Sequence, residues 1–309
     1  MIGPIDDPRA ALEVAHACDL LDAGTRDTEL RHVVDDLEDP SVDVALDTWL
    51  VRDDAGAPIA FAIVGGPRPA EVQSSWVKVH PEHRGRGIGS RLLDLVEGRA
   101  RRRVPAGAPA PALRVEVPAT DAAGLDLVGA RGYREVRRVL HLVRPLADAP
   151  PDPGPPPGGL VARTIDGARD AETVRALDVA CFSGTFGYEA LPAEAFARAH
   201  LTDLDPASVL VLGGGEPAAF VLVRDGEPAW IDVLAVAAGW RRRGIATWLL
   251  RRSAADVAAR GRRELRLAVD ADNDHGARAL YDAAGFVERR CYVVLERPLG
   301  SAPSEGDAP

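Results

Sequence analysis

The sequence is poor in lysine, in cysteine and in long apolar runs, and these shortages limit what the protein can be. Lys78 is the single lysine, so arginine carries almost all of the positive charge. The formal net charge is -10. Proteins that bind nucleic acids usually carry an excess of basic residues, so this charge argues against a nucleic-acid partner. Cys18, Cys181 and Cys291 lie far apart and form no CxxC, so neither a metal site nor a disulfide framework is predicted.

Membrane-spanning and secretory features are also missing. No apolar run approaches the length of a bilayer span, so no membrane partner is expected. The first ten residues, MIGPIDDPRA, are acidic and lack the apolar segment of a secretion signal. We therefore expect a cytoplasmic protein. Its 309 residues are enough for two ordinary domains, each with its own core.

A proline-rich segment divides the chain into two halves. Residues 147–159 read ADAPPDPGPPPGG, and the prolines remove backbone donors, so no helix or sheet interior can pass through them. We predict a domain at 1–146, a linker at 147–159, a second domain at 160–299 and a disordered tail at 300–309. The alternative, a long loop inside one domain, is uncommon in compact proteins.

The two halves repeat each other. Residues 76–100 and 230–259 each carry an alternating apolar run, a turn rich in arginine and glycine, and an amphipathic helix pattern. Residues 113–136 and 265–288 then each read as strand, loop, helix and a Gly-aromatic step. Both halves close on an apolar strand ending in Arg-Pro-Leu, and GGGEP within 208–228 predicts a hairpin. This order predicts an α/β (α+β) protein whose repeats each form a mixed sheet flanked by helices.

The turn before each amphipathic helix reads Arg-x-x-Gly-x-Gly/Ala, at residues 84–89 and 241–246. Glycine lets the backbone approach a ligand closely, and the first N–H groups of the following helix have no intrahelical partner. The helix dipole and the arginines add positive charge, so the turn predicts a pyrophosphate site. Neither copy has the G-x-G-x-x-G spacing of a dinucleotide fold or the Gly-Lys-Ser/Thr of a P-loop.

This turn, with the strand before it, resembles the acyl-CoA-binding signature of the GNAT superfamily of N-acetyltransferases. A later Asn…Leu-Tyr…Gly-Phe series at residues 273–286 fits the same family in the same order. The resemblance covers about residues 5–146 and 160–299. It implies two tandem GNAT folds, each with a mixed, mostly antiparallel central sheet flanked by helices. It also implies acetyl-CoA as the acyl donor, with no metal.

The resemblance further implies which residues contact the cofactor. Backbone groups of the strand would hold the pantetheine arm, and the turn would hold the pyrophosphate. In the second half these residues are Leu234, Ala235, Val236, Arg241, Arg242, Arg243, Gly244, Ile245, Ala246, Thr247 and Asn273. In the first half they are Val77, Lys78, Val79, Arg84, Gly85, Arg86, Gly87, Ile88, Gly89 and Ser90.

The resemblance places the chemistry in the second half. Tyr281 matches the tyrosine that often protonates the leaving CoA thiolate, whereas the first half has Val128 at that place. Asp232 is the candidate base, because it lies beside the thioester and, by strand alternation, on the face of Leu234. The alternatives are that Tyr281 packs under the sheet and that Asp232 is a solvated or capping carboxylate.

Asp270 and Glu189 are weaker candidates for the base, while His200 and His275 are assigned to surface or helix positions. The predicted function is acetyl transfer from acetyl-CoA to a primary amine of a small molecule or peptide, by direct attack, in a monomer or homodimer. Two alternatives stay open. One is an acetyltransferase of the mycothiol-synthase type, whose two-domain arrangement this chain resembles. The other is a non-catalytic acyl-CoA-binding or sensing protein.

Overall fold

The computed structural model describes residues 1–66, 72–104, 107–147, 150–185, 188, 190–271 and 277–300. The chain forms two compact units. Unit 1 consists of residues 1–139 and the segment from Arg290 onward, and unit 2 consists of residues 140–289.

Unit 1 carries a sheet whose strands follow the chain order. Its strands are β1 (Ile2–Gly3), β2 (Thr48–Arg52), β3 (Pro58–Gly65), β4 (Val72–Val79) and β5 (Ala112–Pro118). Its helices are α1 (Pro8–Ala23), α2 (Leu30–Glu38), α3 (Val44–Asp47), α4 (Ile88–Arg103) and α5 (Ala122–Ala130). Successive strands pair antiparallel, except that β4 and β5 pair parallel. The strand β6 (Arg134–Pro145) starts in unit 1 and ends in unit 2.

Unit 2 repeats this plan. Its strands are β7 (Val161–Thr164), β8 (Val209–Gly213), β9 (Glu216–Arg224), β10 (Ala229–Val236) and β11 (Glu264–Asp270), and the chain closes with β12 (Val287–Pro298). Its helices are α6 (Gly167–Phe182), α7 (Ala193–Phe196), α8 (Ile245–Ala259) and α9 (Ala277–Ala283), with a π-helical turn at Ala197–Leu201. β7 to β10 pair antiparallel in succession, and β10 and β11, which flank the second motif helix α8, pair parallel.

The predicted hairpin is confirmed. β8 and β9 pair antiparallel, and Gly214 and Gly215 between them have φ of 62° and 92°. Such left-handed backbone at both turn residues favours glycine, because a side chain would clash there. The hairpin brings Leu210 and Phe220 against α6, where both are fully buried.

The closing strand of each half lies in the unit of the other half. β12 pairs antiparallel with β5 of unit 1, from Tyr292↔Pro118 to Pro298↔Ala112. The end of β6 neighbours β11, and the Leu146 N–H donates to the carbonyl of Arg263 at 2.8 Å.

The units therefore differ from the predicted contiguous domains 1–146 and 160–299, and their boundary falls within β6 rather than in the linker. Both closing strands end in the same Arg-Pro-Leu, so the sequence pattern fits either neighbour equally well. The linker itself contacts unit 2, since the Trp248 indole donates to the Gly154 carbonyl at 2.9 Å.

Candidate functional site

In unit 2 the two parallel strands part before they end. The pairing of β10 with β11 runs from Ala229↔Leu265 to Ile231↔Leu267 and stops there. β10 continues to Val236 and stays paired with β9 along its other edge. The edge toward β11 therefore offers backbone groups to an extended ligand that lies between the strands.

A β-bulge marks the start of this opening. Ile231 pairs with Val223, and Val233 pairs with Leu222, so Asp232 is the extra residue in β10. A bulge breaks the alternation of the strand and redirects side chains, and bulges often lie next to active sites. The expectation that Asp232 shares a face with the residue two positions on is therefore wrong. Its carboxylate instead turns toward the side of α6 and α7.

Two donors hold the Asp232 carboxylate. Oδ2 lies 2.7 Å from Nδ1 of His200 and 3.2 Å from Nη2 of Arg224. Burial raises the pKa of Asp232, but the hydrogen bond with His200 and the charge of Arg224 outweigh burial, so its pKa is lowered. A carboxylate only accepts hydrogen bonds, so Nδ1 of His200 must carry the proton and Nε2 is the basic nitrogen of the neutral ring. This geometry suits Asp232 to orienting His200 rather than to taking a proton itself.

The ring of His200 is fixed by packing as well. Its centroid lies 4.8 Å from that of Phe196, which is almost completely buried. His200 belongs to the π-helical turn, a feature that often occurs at functional sites. The sequence analysis assigned His200 to a surface or helix position and missed its contact with Asp232, because the two residues lie 32 positions apart and no periodic signal links them.

A second carboxylate lies close to this pair. Asp178, on the last turn of α6, is buried and accepts a hydrogen bond from the Tyr188 hydroxyl at 2.6 Å. Burial raises the pKa of Asp178, the hydrogen bond from Tyr188 and the charge of His200 lower it, and Asp232 raises it further. Asp178, Asp232 and His200 thus form a cluster of two carboxylates and one imidazole, which sequence reasoning also missed.

The motif turn of unit 2 has the predicted conformation. Gly244 has a φ of 79° and begins α8, so the first N–H groups of the helix point past its end. Arg241 Nε donates to the carbonyl of Val236 at 3.1 Å, which ties the turn to the end of β10. Arg242 takes a φ of 62°, a left-handed conformation that is strained for a side-chain-bearing residue. Arg243 stacks over Trp240 at 4.8 Å.

Comparison with known proteins assigns both halves to one family. A model described as the acetyltransferase (GNAT) family matches residues 171–286, and an acetyltransferase (GNAT) domain model matches residues 45–124. The chain is 30% identical to a mycothiol acetyltransferase of Tsukamurella paurometabola, over 79% of the chain and 83% of that protein. The chain belongs to the GNAT acetyltransferase family.

Other relatives and solved GNAT structures agree. A mycothiol acetyltransferase of Clavibacter sepedonicus is 33% identical over 71% of each protein, whereas the match to one of Frankia casuarinae spans 36% of that relative. A GCN5-related N-acetyltransferase structure from Sphaerobacter thermophilus has a TM-score of 0.81 and 26% identity, covering 97% of the chain and 95% of its own. A tandem GNAT protein from the clavulanic acid pathway has a TM-score of 0.75 at 20% identity, covering 99% of both chains. The protein is thus an acyltransferase with two GNAT domains in tandem.

The GNAT unit at the N-terminus contains a cavity of about 410 Å³. In unit 1, β4 and β5 part after Ser75↔Val115, and the cavity lies at this opening. Nine of the ten residues predicted to contact the cofactor in this half line it, namely Val77, Lys78, Val79, Arg84, Gly85, Gly87, Ile88, Gly89 and Ser90. The tenth, Arg86, donates instead to the Glu82 carbonyl at 3.1 Å. As in the other GNAT unit, an arginine is tied to the strand end, since Arg84 Nε donates to the Val79 carbonyl at 3.3 Å.

Tyr281 lies on α9, and its ring meets that of Phe286 edge-on at 5.9 Å. Burial raises the pKa of Tyr281 to about 12, so the phenol stays protonated at neutral pH and can donate a proton. Asp270 ends β11, the strand that precedes this helix. Asn273, Glu189 and His275 lie outside the described residues.

Within the described ranges, no group of three or more His, Cys, Asp or Glu side chains is arranged to hold a metal ion. No helix in the described part of the chain is long and apolar enough to cross a membrane.

Proposed function

We propose that the protein transfers an acetyl group from acetyl-CoA to a primary amine by direct attack, with the active site in unit 2. The observation that carries this proposal is the bulge at Asp232, whose carboxylate holds His200 beside the opening between β10 and β11. In unit 1, β4 pairs with β3 in continuous register from Ala60↔Val79 to Gly65↔Ser74, so this strand has no counterpart of the extra residue Asp232.

The reaction needs a free amine, because an ammonium ion has no lone pair for attack. Nε2 of His200 would accept the proton of the incoming ammonium, directly or through a water molecule. Asp232 would keep the proton on Nδ1 and stabilise the imidazolium that forms, as the orienting carboxylate does in other acid–base sites. The negative charge of Asp232 is permanent at neutral pH, because its pKa is lowered.

The amine nitrogen would then attack the thioester carbonyl carbon, and the C–S bond would break as the amide forms. The departing CoA thiolate needs a proton, and the phenol of Tyr281, which is protonated at neutral pH, would supply it. The N-terminal N–H groups of α8 and the arginines at 241–243 would hold the pyrophosphate of the donor. The chemistry requires no covalent intermediate on the protein.

The cluster of Asp178, Asp232 and His200 favours a cationic amine as acceptor. It holds two carboxylates, and His200 and Arg224 are the cationic partners that the structure describes for them. A narrower candidate is an acceptor of the mycothiol-acetyltransferase type, because relatives of that name match this chain over 71% and 83% of their length.

The test is release of CoA thiol from acetyl-CoA across a panel of primary amines, including amino sugars, amino acids and polyamines. We expect at least one amine to give saturable turnover. Tyr281→Phe should lower kcat by roughly 10²-fold, in line with the loss of one general acid.

Tyr133→Phe is the matched control, because it removes a hydroxyl that bonds Glu97 in unit 1. It should retain the wild-type rate. Tight acetyl-CoA binding with no thiol release for any amine would instead favour the non-catalytic binding protein. Full activity in Tyr281→Phe would refute the role given to that residue.

A further inference from the structure

The only lysine of the sequence lies inside the cavity of unit 1. Lys78 is on β4 and lines this cavity of about 410 Å³ together with the motif turn. No described residue forms a hydrogen bond or an ion pair with its ammonium group. A primary amine therefore stands, unbound, beside the backbone that the GNAT fold offers to an acyl-CoA.

Two carboxylates interact electrostatically with this amine. Burial raises the pKa of Asp22 and that of Glu116, and the positive charge of Lys78 opposes the rise in both. Glu116 lines the same cavity, and Oδ2 of Asp22 is buried without a hydrogen-bond partner. Arg84 and Arg290 also oppose the rise at Asp22, but burial and the negative charge of Asp121 outweigh the cations, so its pKa stays raised. The raised pKa and the unpartnered Oδ2 suit Asp22 to receive a proton from the Lys78 ammonium group.

Unit 2 has no such group at the matching place. Counted back from the glycine that begins the motif helix, Lys78 and Ala235 are equivalent, since each lies nine residues before Gly87 or Gly244. Ala235 is buried in the cluster beneath α6 and leaves the opening free of an internal amine. Unit 1 thus carries the amine of Lys78 at this place, whereas unit 2 has space there for an amine from solution.

We propose that Lys78 is a self-acetylation site, modified by acetyl-CoA bound in unit 1; this rests on the proposed use of acetyl-CoA as donor. The Lys78 ammonium first gives a proton to Asp22. Its Nζ lone pair then forms a bond to the thioester carbonyl carbon, and the C–S bond breaks with its electron pair going to sulfur. The thiolate takes up one proton and the new amide releases one, so acetyl-CoA and the lysine ammonium give CoA thiol, acetyl-lysine and one proton. The modification happens once and removes a positive charge from the cavity.

The experiment incubates the full-length protein with isotopically labelled acetyl-CoA in the absence of any amine. Intact mass and peptide mapping then locate the label. We expect one acetyl group per chain, on Lys78, with a rate that saturates in acetyl-CoA. An excess of desulfo-CoA, which occupies a CoA site but cannot donate an acetyl group, should abolish labelling of the wild-type protein. Heat-denatured protein should remain unlabelled, and Lys78→Arg should lose the label while keeping the charge.

The outcomes separate this inference from the proposed function. Thiol release with an amine but no label on Lys78 would overturn self-acetylation alone. Absence of both would overturn the use of acetyl-CoA itself. Label on Lys78 that desulfo-CoA does not suppress would show chemical acetylation from solution, and would also overturn the proposal.

Discussion

The two GNAT units share a scaffold and differ in what projects into it. In each, a parallel strand pair parts, a left-handed glycine begins a helix, and an arginine Nε bonds the end of the preceding strand, as Arg84 and Arg241 do. In unit 2 a bulge adds Asp232, which meets His200. In unit 1 the strand is regular and carries Lys78. The two units thus share the backbone features that the proposal assigns to the cofactor, and they differ by a single inserted strand residue in unit 2.

The largest effect should come from His200, because the proposed acetyl transfer in unit 2 uses this residue as the base. His200→Ala removes the basic nitrogen and leaves Asp232 without one of its two donors. We expect kcat/KM for the best amine to fall by about 10²–10⁴-fold, the range for loss of a general base. The binding of acetyl-CoA, measured by calorimetry, should change little.

His16→Gln is a matched control, since it replaces a ring in unit 1 whose Nε2 bonds the Thr28 carbonyl at 2.8 Å. Its kcat/KM should stay close to the wild-type value. Equal losses in both variants would mean that His200 acts only through folding, and would remove the distinction between the units.

A second difference concerns how each unit holds its closing strand. In unit 1, Glu97 is buried and bonds Arg297 of β12 at 2.6 Å and Arg131 at 2.9 Å. Removing one partner from a buried ion pair leaves an unpaired charge, which costs about 3–5 kcal/mol. Glu97→Ala should therefore lower the thermal midpoint of unit 1 strongly, as followed by calorimetry.

The same carboxyl predicts a pH dependence. Burial raises the pKa of Glu97, but Arg131 and Arg297 outweigh burial, so its folded pKa lies below the ordinary 4.5. The stabilisation is therefore present above about pH 4.5 and is lost as the pH falls through the lowered folded value. The difference in unfolding free energy between wild type and Glu97→Gln should shrink over that interval. A constant difference down to low pH would contradict this assignment.

Unit 2 provides the contrast. Arg144 occupies the place of Arg297, but Nη1 of Arg144 is buried without a hydrogen-bond partner, and Ala254 stands at the place of Glu97. Burial and the charge of Arg251 lower the pKa of Arg144. Replacing an unpaired buried cation by an apolar side chain can be neutral or stabilising. We expect Arg144→Met to leave the thermal midpoint unchanged or raised, and a marked fall would show that Arg144 has a stabilising partner.

Sequence patterns predicted the repeated fold well, because hydrophobic periodicity, the GGGEP hairpin and the two glycine turns are local signals. They did not predict the exchange of β6 and β12, since both strands have the same pattern and either neighbour satisfies it. They also missed His200 and Asp178. A bulge shifts the side chains that follow it by one position, and the residue pattern of β10 does not predict where the bulge lies. The partners of Asp232 come from a helix and a turn distant in sequence, so only the tertiary structure brings them together.

The smallest expected effect is on stability, and it comes from exchanging the residues at one position of the two motif turns. Arg242 has a φ of 62°, while Gly85 at the same place in unit 1 has a φ of 74°. A left-handed conformation costs a non-glycine residue on the order of 1 kcal/mol or more, but glycine also loses more chain entropy on folding. Arg242→Gly should therefore stabilise unit 2 by about 0.5–1 kcal/mol, and Gly85→Arg should destabilise unit 1 by a similar amount.

The same variant tests cofactor binding. If Arg242→Gly raises the KM for acetyl-CoA while kcat is unchanged, then unit 2 tolerates the strain because this arginine binds the pyrophosphate. An unchanged KM would instead assign pyrophosphate binding to the helix N-terminus and the other arginines of the turn.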